Sequence, residues 1–185
     1  MASRREKTPV KKMRRLALVI CEGETEANYI NIIRKWYKSP VKIISHVEGA
    51  KITQALVDKR TKELKISPQD KVSTFLMYDM DVPTTTAKVM ACNAELLLSN
   101  PCFEIWLLLH VRDQKSAIST QTVLTELKRS SSVWKNYAKA TYSDTQKAFL
   151  KTHLNEAIER AKTLKRFQNP SSEVYKILEF FEECL

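Results

Sequence analysis

Four short apolar runs punctuate the first hundred residues, and each stops at a polar break. Leu16-Ala17-Leu18-Val19-Ile20-Cys21 runs into Glu22-Gly23-Glu24-Thr25-Glu26, and Val72-Ser73-Thr74-Phe75-Leu76-Met77-Tyr78 runs into Asp79-Met80-Asp81. Short apolar runs without helical periodicity read as strands buried on both faces, here at about 15–21 and 71–78. Val41 to Val47 predicts another strand, and Glu95-Leu96-Leu97-Leu98 a fourth. Helical spacing separates them. Tyr29, Ile30, Ile33, Trp36 and Tyr37 share one face of a segment from Thr25 to Lys38, which Pro40 ends. Ile52, Leu56, Val57 and Leu64 mark a second helix over 51–66, and Thr85 or Thr86 starts a short one through Cys92.

The second half is helical. Cys102 to about Arg112 is apolar on all sides, the signature of a buried helix, with Pro101 suited to its first position. Further helices are predicted at about 119–129, 144–167 and 171–183; Leu150, Leu154, Ala157, Ile158, Ala161 and Leu164 carry the long one. Strand and helix alternate over 14–110, which predicts an α/β fold: a mainly parallel four-stranded sheet flanked by helices. A sheet core at about 14–112 and a helical extension at about 113–185 then form one domain. Residues 1–13 read as a basic flexible arm.

Charge sharpens the picture of that arm. Of a net +10, residues 1–15 carry +6, from seven basic residues against Glu6 alone. Arg4, Arg5, Lys11, Lys12, Arg14 and Arg15 suit contact with a phosphate backbone; a solubilising tail has the same composition. No apolar stretch approaches the roughly 20 residues of a membrane span, and the N-terminus lacks a signal-peptide core. A cytoplasmic, membrane-free protein is expected. Cys21, Cys92, Cys102 and Cys184 are scattered without a C-x-x-C pair, which argues for reduced thiols and against a zinc site. Two glycines in the whole chain exclude a G-x-G-x-x-G dinucleotide turn.

The acids at the strand ends carry the candidate chemistry. Carboxylates placed where parallel strands end fall at the rim where open α/β sheets bind ligands. Asp79 and Asp81 are two apart, so both project to one side, and paired carboxylates repel unless a cation lies between them. Hard oxygen ligands suit Mg²⁺, with Mn²⁺ as the alternative. Glu22 before the Gly23 turn would ligate the metal or serve as general acid or base. Glu26 is placed as a further ligand, against the simpler reading that it and Glu24 supply charge to a helix N-terminus. Glu104 and His110 are the only ionisable members of the apolar helix and stand about 240° apart on it. Glu104 is a candidate for the site, or else a hydrogen-bond partner of the Asn100-Pro101 turn. His110 reads as a core or helix-end histidine, and His46 and His153 as structural or exposed.

Val19-Ile20-Cys21-Glu22-Gly23-Glu24-Thr25-Glu26 with Tyr78-Asp79-Met80-Asp81 resembles the Toprim signature of topoisomerases, primases and the OLD-type nucleases. Ser99-Asn100-Pro101-Cys102-Phe103-Glu104-Ile105-Trp106, continuing to His110, closely resembles the hallmark of the RloB-like (abortive-infection) family. Asn169 to Tyr175 is similar to that family's closing motif. The resemblance implies a Toprim-like (Rossmann-like) sheet and a Mg²⁺-dependent nuclease cutting DNA or RNA, tRNA included, in prokaryotic anti-phage defence. It also implies that the protein works beside an ATPase partner, and it leaves a homo-oligomer open. Under that pattern Glu22 is the general acid/base, while Asp79 and Asp81 hold the metal. Val82-Pro83 stands where many relatives carry a further acid, so a second metal stays open. The rival readings are a nucleic-acid-binding or regulatory subunit of a defence complex, and a primase-like nucleotidyl transferase.

Overall fold

In a computed structural model, described for residues 15–37, 42–64, 66–67 and 69–184, the chain alternates strand and helix to residue 109 and is then mostly helical. The elements are β1 (Arg15–Cys21), α1 (Glu24–Trp36), β2 (Lys42–Val47), a 3-10 turn (Gly49–Lys51), α2 (Gln54–Glu63), β3 (Lys71–Asp79), α3 (Pro83–Met90), β4 (Glu95–Asn100) and α4 (Glu104–Leu109). They continue with α5 (Thr120–Ser130), α6 (Asp144–Thr152), α7 (Leu154–Lys162), β5 (Ser171–Ser172) and α8 (Tyr175–Glu182). The arm residues Arg4, Arg5, Lys11, Lys12 and Arg14 lie outside the described residues.

The sheet order is β2-β1-β3-β4-β5, parallel throughout except for β5, which runs antiparallel to β4. Side chains alternate across a strand, so one apolar run feeds two cores. Ala17, Val19, Cys21, Phe75, Met77 and Leu97 join α1 and the C-terminal helices in a cluster on one face. Leu18, Ile20, Leu76, Tyr78 and Leu98 join residues of α2 and α3 on the other. Both faces are covered, which is why β1 and β3 are almost unbroken in hydrophobicity. The larger cluster runs from Ala17 to Phe181; the C-terminal helices therefore pack on the sheet rather than extend away from it. Burying a side chain such as Ile30 or Ile33 of α1 there, both fully covered, contributes about 1.5–3 kcal/mol each.

Three expectations are corrected. The sheet has five strands, not four: Ser171 and Ser172 pair with Asn100 and Ser99, because the backbone at the end of β4 has its outer edge open and these residues fill it. The helix expected over 144–167 is two helices broken at His153, whose φ of −102° and ψ of 20° leave the helical region. There the ring of His153 lies tilted against Phe149, with centroids 4.3 Å apart, and α7 ends by Thr163. Finally, Pro101 does not open a helix. It sits in a turn after a cis Asn100-Pro101 bond, and α4 begins at Glu104, once the Phe103 N–H has found its acceptor in Asp79.

The parallel register sets the functional edge. Cys21 lies opposite Met77 and Asp79 opposite Ser99, so β1, β3 and β4 end together. Arg15 opens β1 at the far end of the same strand, about 20 Å from Glu22 at the usual rise. Its guanidinium donates to Cys184 Sγ at 3.1 Å.

Candidate acidic site at the carboxyl edge of the sheet

Glu22 and Asp79 are joined directly. The Asp79 N–H donates to Glu22 Oε2 at 2.9 Å, while the Glu22 N–H donates to the Met77 carbonyl at 2.9 Å and its own carbonyl accepts from Gly49 at 3.1 Å. The backbone of Glu22 thus continues the β1 ladder one residue past the strand, and its side chain caps the end of β3. Asp79 Oδ1 in turn accepts from the Phe103 N–H at 2.7 Å. One carboxylate oxygen of each acid is spent on positioning, and the other makes no hydrogen bond among the described residues.

Glu26 closes the first turn of α1. Its Oε2 accepts from the Gly23 N–H at 3.0 Å, the carboxylate half of a capping box, since Gly23 has no side chain to return the bond. A Cβ on Gly23 would meet that oxygen at 3.2 Å, so a small residue keeps the approach close. Glu26 is buried and Glu24 is exposed. Asp81 sits in the bend beyond β3, exposed.

Glu104 enters from a third direction, at the start of α4, and is 1% exposed. Its Oε1 accepts from the Tyr137 hydroxyl at 3.3 Å and pairs with Lys139 Nζ at 3.4 Å, not with the Asn100-Pro101 turn. Its Oε2 is buried with no hydrogen-bond partner among the described residues. A half-satisfied buried carboxylate is costly and marks a place where something else belongs.

Lys139 and Tyr137 are the functional candidates that sequence reasoning missed. They belong to the loop between α5 and α6, which is tied to the first turns of α1. The Ala140 N–H donates to Thr25 Oγ1 at 3.0 Å, Asn28 Nδ2 donates to the Ala140 carbonyl at 2.7 Å, and the Tyr142 hydroxyl donates to the Thr25 carbonyl at 3.3 Å. Ala140 adopts a φ of 64°, a left-handed conformation that costs a non-glycine residue about 1–2 kcal/mol. These three bonds hold it there. Lys139, with its side chain 58% exposed, thereby reaches the acids from the solvent side.

The electrostatics converge on Asp79. Burial, and then the charges of Glu26, Glu22, Glu104 and Asp81, push its pKa up to about 9. Burial likewise raises Glu22, against the lowering effect of the Asp79 N–H, and raises Glu26 despite its backbone hydrogen bonds. Burial alone would lower the Lys139 ammonium; the carboxylates of Glu104 and Asp79 outweigh it and leave that pKa raised. Burial also holds the His110 imidazole at about 3. His110 caps α4 away from these groups, its Nδ1 at 2.9 Å from the Trp106 carbonyl.

Five carboxylates and one ammonium make an edge short of positive charge. Among the described residues no three His, Cys, Asp or Glu side chains stand together as a metal cage. A hydrated Mg²⁺ needs only one or two carboxylates and keeps its remaining positions for water and phosphate oxygens. The leftover oxygens of Asp79 and Glu22, the all-oxygen chemistry and the orphaned Glu104 Oε2 fit that ion.

All four thiols are free, and Cys102 lies against the acids: burial and then the charges of Glu104 and Asp79 push its pKa up. No helix among the described residues is long and apolar enough to cross a membrane. No curated protein and no solved structure matches the chain. A family model described as RloB-like protein matches residues 17–181, a span that reaches from within β1 to within α8. The chain belongs to the RloB-like family.

Proposed function

We propose that the acidic edge is the centre of a Mg²⁺-dependent nuclease, hydrolysing phosphodiesters of DNA or RNA in prokaryotic anti-phage defence, beside an ATPase partner. The observation that carries the reading is the convergence of Glu22, Glu26, Asp79, Asp81 and Glu104 on one sheet edge, all of the others acting to raise Asp79. Such repulsion persists in a fold when it serves a bound cation or a proton transfer. Asp79 and Asp81 would hold the ion with Glu22 beside them; when bound, it supplies Lewis-acid polarisation of the phosphate.

The chain's own groups account for the rest. Glu22, raised by burial, is the group placed to take or give a proton at its leftover oxygen. Lys139 offers a fixed positive charge to the oxygens of the scissile phosphate, where charge develops. Glu104 and Tyr137 aim it. Glu26 shapes the Gly23 turn, so its contribution is the position of Glu22. The Toprim-like likeness of the Glu22-Gly23 and Asp79-Met80-Asp81 segments supports the same assignment.

A second reading, a nucleic-acid-binding or regulatory subunit with little activity of its own, draws support from the missing three-ligand cage. One experiment separates them. Plasmid, single-stranded DNA and tRNA are incubated with the protein, with and without Mg²⁺ or Mn²⁺, alongside Asp79→Asn and Glu22→Gln. The nuclease reading expects metal-dependent cutting that falls by about 10²–10⁴ in either variant. Cutting that is absent with every metal, or equal in the variants, rejects it.

A further inference from the structure

The connection from the end of α5 to the start of α6 has a feature that the acidic site does not use. Lys128, Arg129 and Lys135 are exposed and line a surface cavity of about 460 Å³ together with Ser131 and Ser132. Among the described residues none of the three cations has an acidic partner, although the acids of this stretch do have cationic ones: Glu126 pairs with Arg112 and Asp144 with Lys147. Lys128 and Arg129 complement the C-terminal end of the α5 dipole; Lys135 has no such role. Ser132 is shared with a second cavity of about 380 Å³, lined by Asn136, Thr141, Ser143 and Thr145 among others. The second cavity also reaches Ala138, the neighbour of Lys139, whose ammonium stands on Glu104. A cationic hollow, a hydroxyl- and amide-lined hollow and the acidic edge therefore follow one another along a single loop.

We propose that residues 128–145 form a seat for the sugar–phosphate backbone of paired nucleic acid, laid so that one strand passes from Lys128 and Arg129 over Lys135 to Lys139. The chemistry selects backbone over bases. Lys, Arg, Ser, Thr and Asn are the residues that hold phosphate and sugar and fix register without reading sequence. It also selects paired over single strands. Single-strand binders stack bases on exposed aromatic rings, whereas the aromatics of this loop, Trp134, Tyr137 and Tyr142, are buried in the core. The exposed large apolar residues among those described, Val47, Ile66, Val82 and Met90, include no ring. The inference rests on the nuclease reading only for the direction of the strand, not for its binding.

The test is therefore made without metal. Fluorescence anisotropy in EDTA follows a labelled DNA duplex and a labelled RNA hairpin, and the matching single strand, against the full chain and the variant Lys128→Gln/Arg129→Gln/Lys135→Gln. A control, Lys51→Gln/Lys59→Gln/Lys62→Gln, removes the same charge from exposed positions on and before α2, across the sheet. Three phosphate contacts contribute about 2.7 to the slope of log affinity against log salt. Between about 50 and 200 mM salt the unaltered protein is thus expected to lose about 40-fold more affinity for the duplex than the α5–α6 variant does. The control should keep the unaltered slope, and single strands should bind more weakly than duplex. An unchanged slope in the α5–α6 variant, an equal change in the control, or tighter binding of single strands would each overturn the seat. Loss of duplex binding in a protein that cuts nothing with any metal keeps the seat and rejects the nuclease. Cutting with an unchanged slope does the reverse.

Discussion

Replacing Asp79 by asparagine should make the metal-free protein more stable, and increasingly so as pH rises. Asparagine keeps an oxygen to accept the Phe103 N–H, a bond of 2.7 Å in Asp79, and deletes the charge that burial and four neighbouring acids oppose. An unfolded Asp79 ionises near about 3.9, whereas in the fold its pKa is about 9. Between those values the folded chain holds a proton that the unfolded chain has released. The stabilising contribution of this group is therefore complete below about pH 4 and is lost as pH rises toward the folded value. At pH 7 the interval is about three pH units, a ceiling of about 4 kcal/mol. Asp79 is only half-buried, and water and small movements of the neighbouring acids screen the repulsion; about 1–2 kcal/mol should survive. For a domain of this size that is about 2–8 °C in Tm. Thermal unfolding of both proteins in EDTA, followed by circular dichroism from about pH 5 to 9, measures it directly. A variant no more stable than the parent at pH 8, or a gap that fails to widen with pH, refutes the reasoning.

Other outcomes follow from the same geometry. Mg²⁺ at about ten times its dissociation constant should raise the stability of the unaltered protein by about 1.4 kcal/mol, seen as a Tm shift that Asp79→Asn abolishes. Lys139→Met should cost about 1 kcal/mol by leaving the buried Glu104 carboxylate without its cation, a discounted figure because the lysine is largely exposed; adding Glu104→Gln should restore the loss in a double-mutant cycle. His110 is neutral in the fold, with a pKa held near 3 by burial, while the unfolded chain protonates it below about 6.5. Stability should thus fall by up to about 2 kcal/mol between pH 6.5 and 5 from this group alone, and His110→Gln should flatten that limb in urea titrations. Ala140→Gly should gain about 0.5–1 kcal/mol, the relief of a φ of 64° less the added backbone entropy of glycine.

The parts of this fold that can be read from sequence are those whose burial is uniform. β1 and β3 are covered on both faces, so hydrophobicity runs unbroken to the acid that ends each strand. Glu104 announces itself as the lone carboxylate in a helix apolar on all sides. The break at His153 cannot be read in this way, since the apolar stripe of Leu150, Leu154, Ala157 and Ile158 passes straight through it. β5 is equally hidden: two serines carry no strand signal, and only the open edge of β4 recruits them. Lys139 is hidden from local sequence for another reason. Its loop meets α1 across 115 positions of chain, and no local motif encodes so distant a contact. A faint signal was present in Trp134, Tyr137 and Tyr142, three aromatics in a polar stretch, which mark a loop that packs.

The pairing of Ser172 with Ser99 also imposes an order of assembly. On the ribosome Glu22, Asp79 and Glu104 all emerge well before Ser171 and Ser172. During that interval β4 has an unpaired edge, and Ser99, the register partner of Asp79, lacks the hydroxyl at 3.0 Å that it meets in the finished protein. Emergence of Ser171 and Ser172 is what gives the edge of β4 its partner. Under the proposed function, the acidic edge would in this way stay incomplete until the β5 segment had been made.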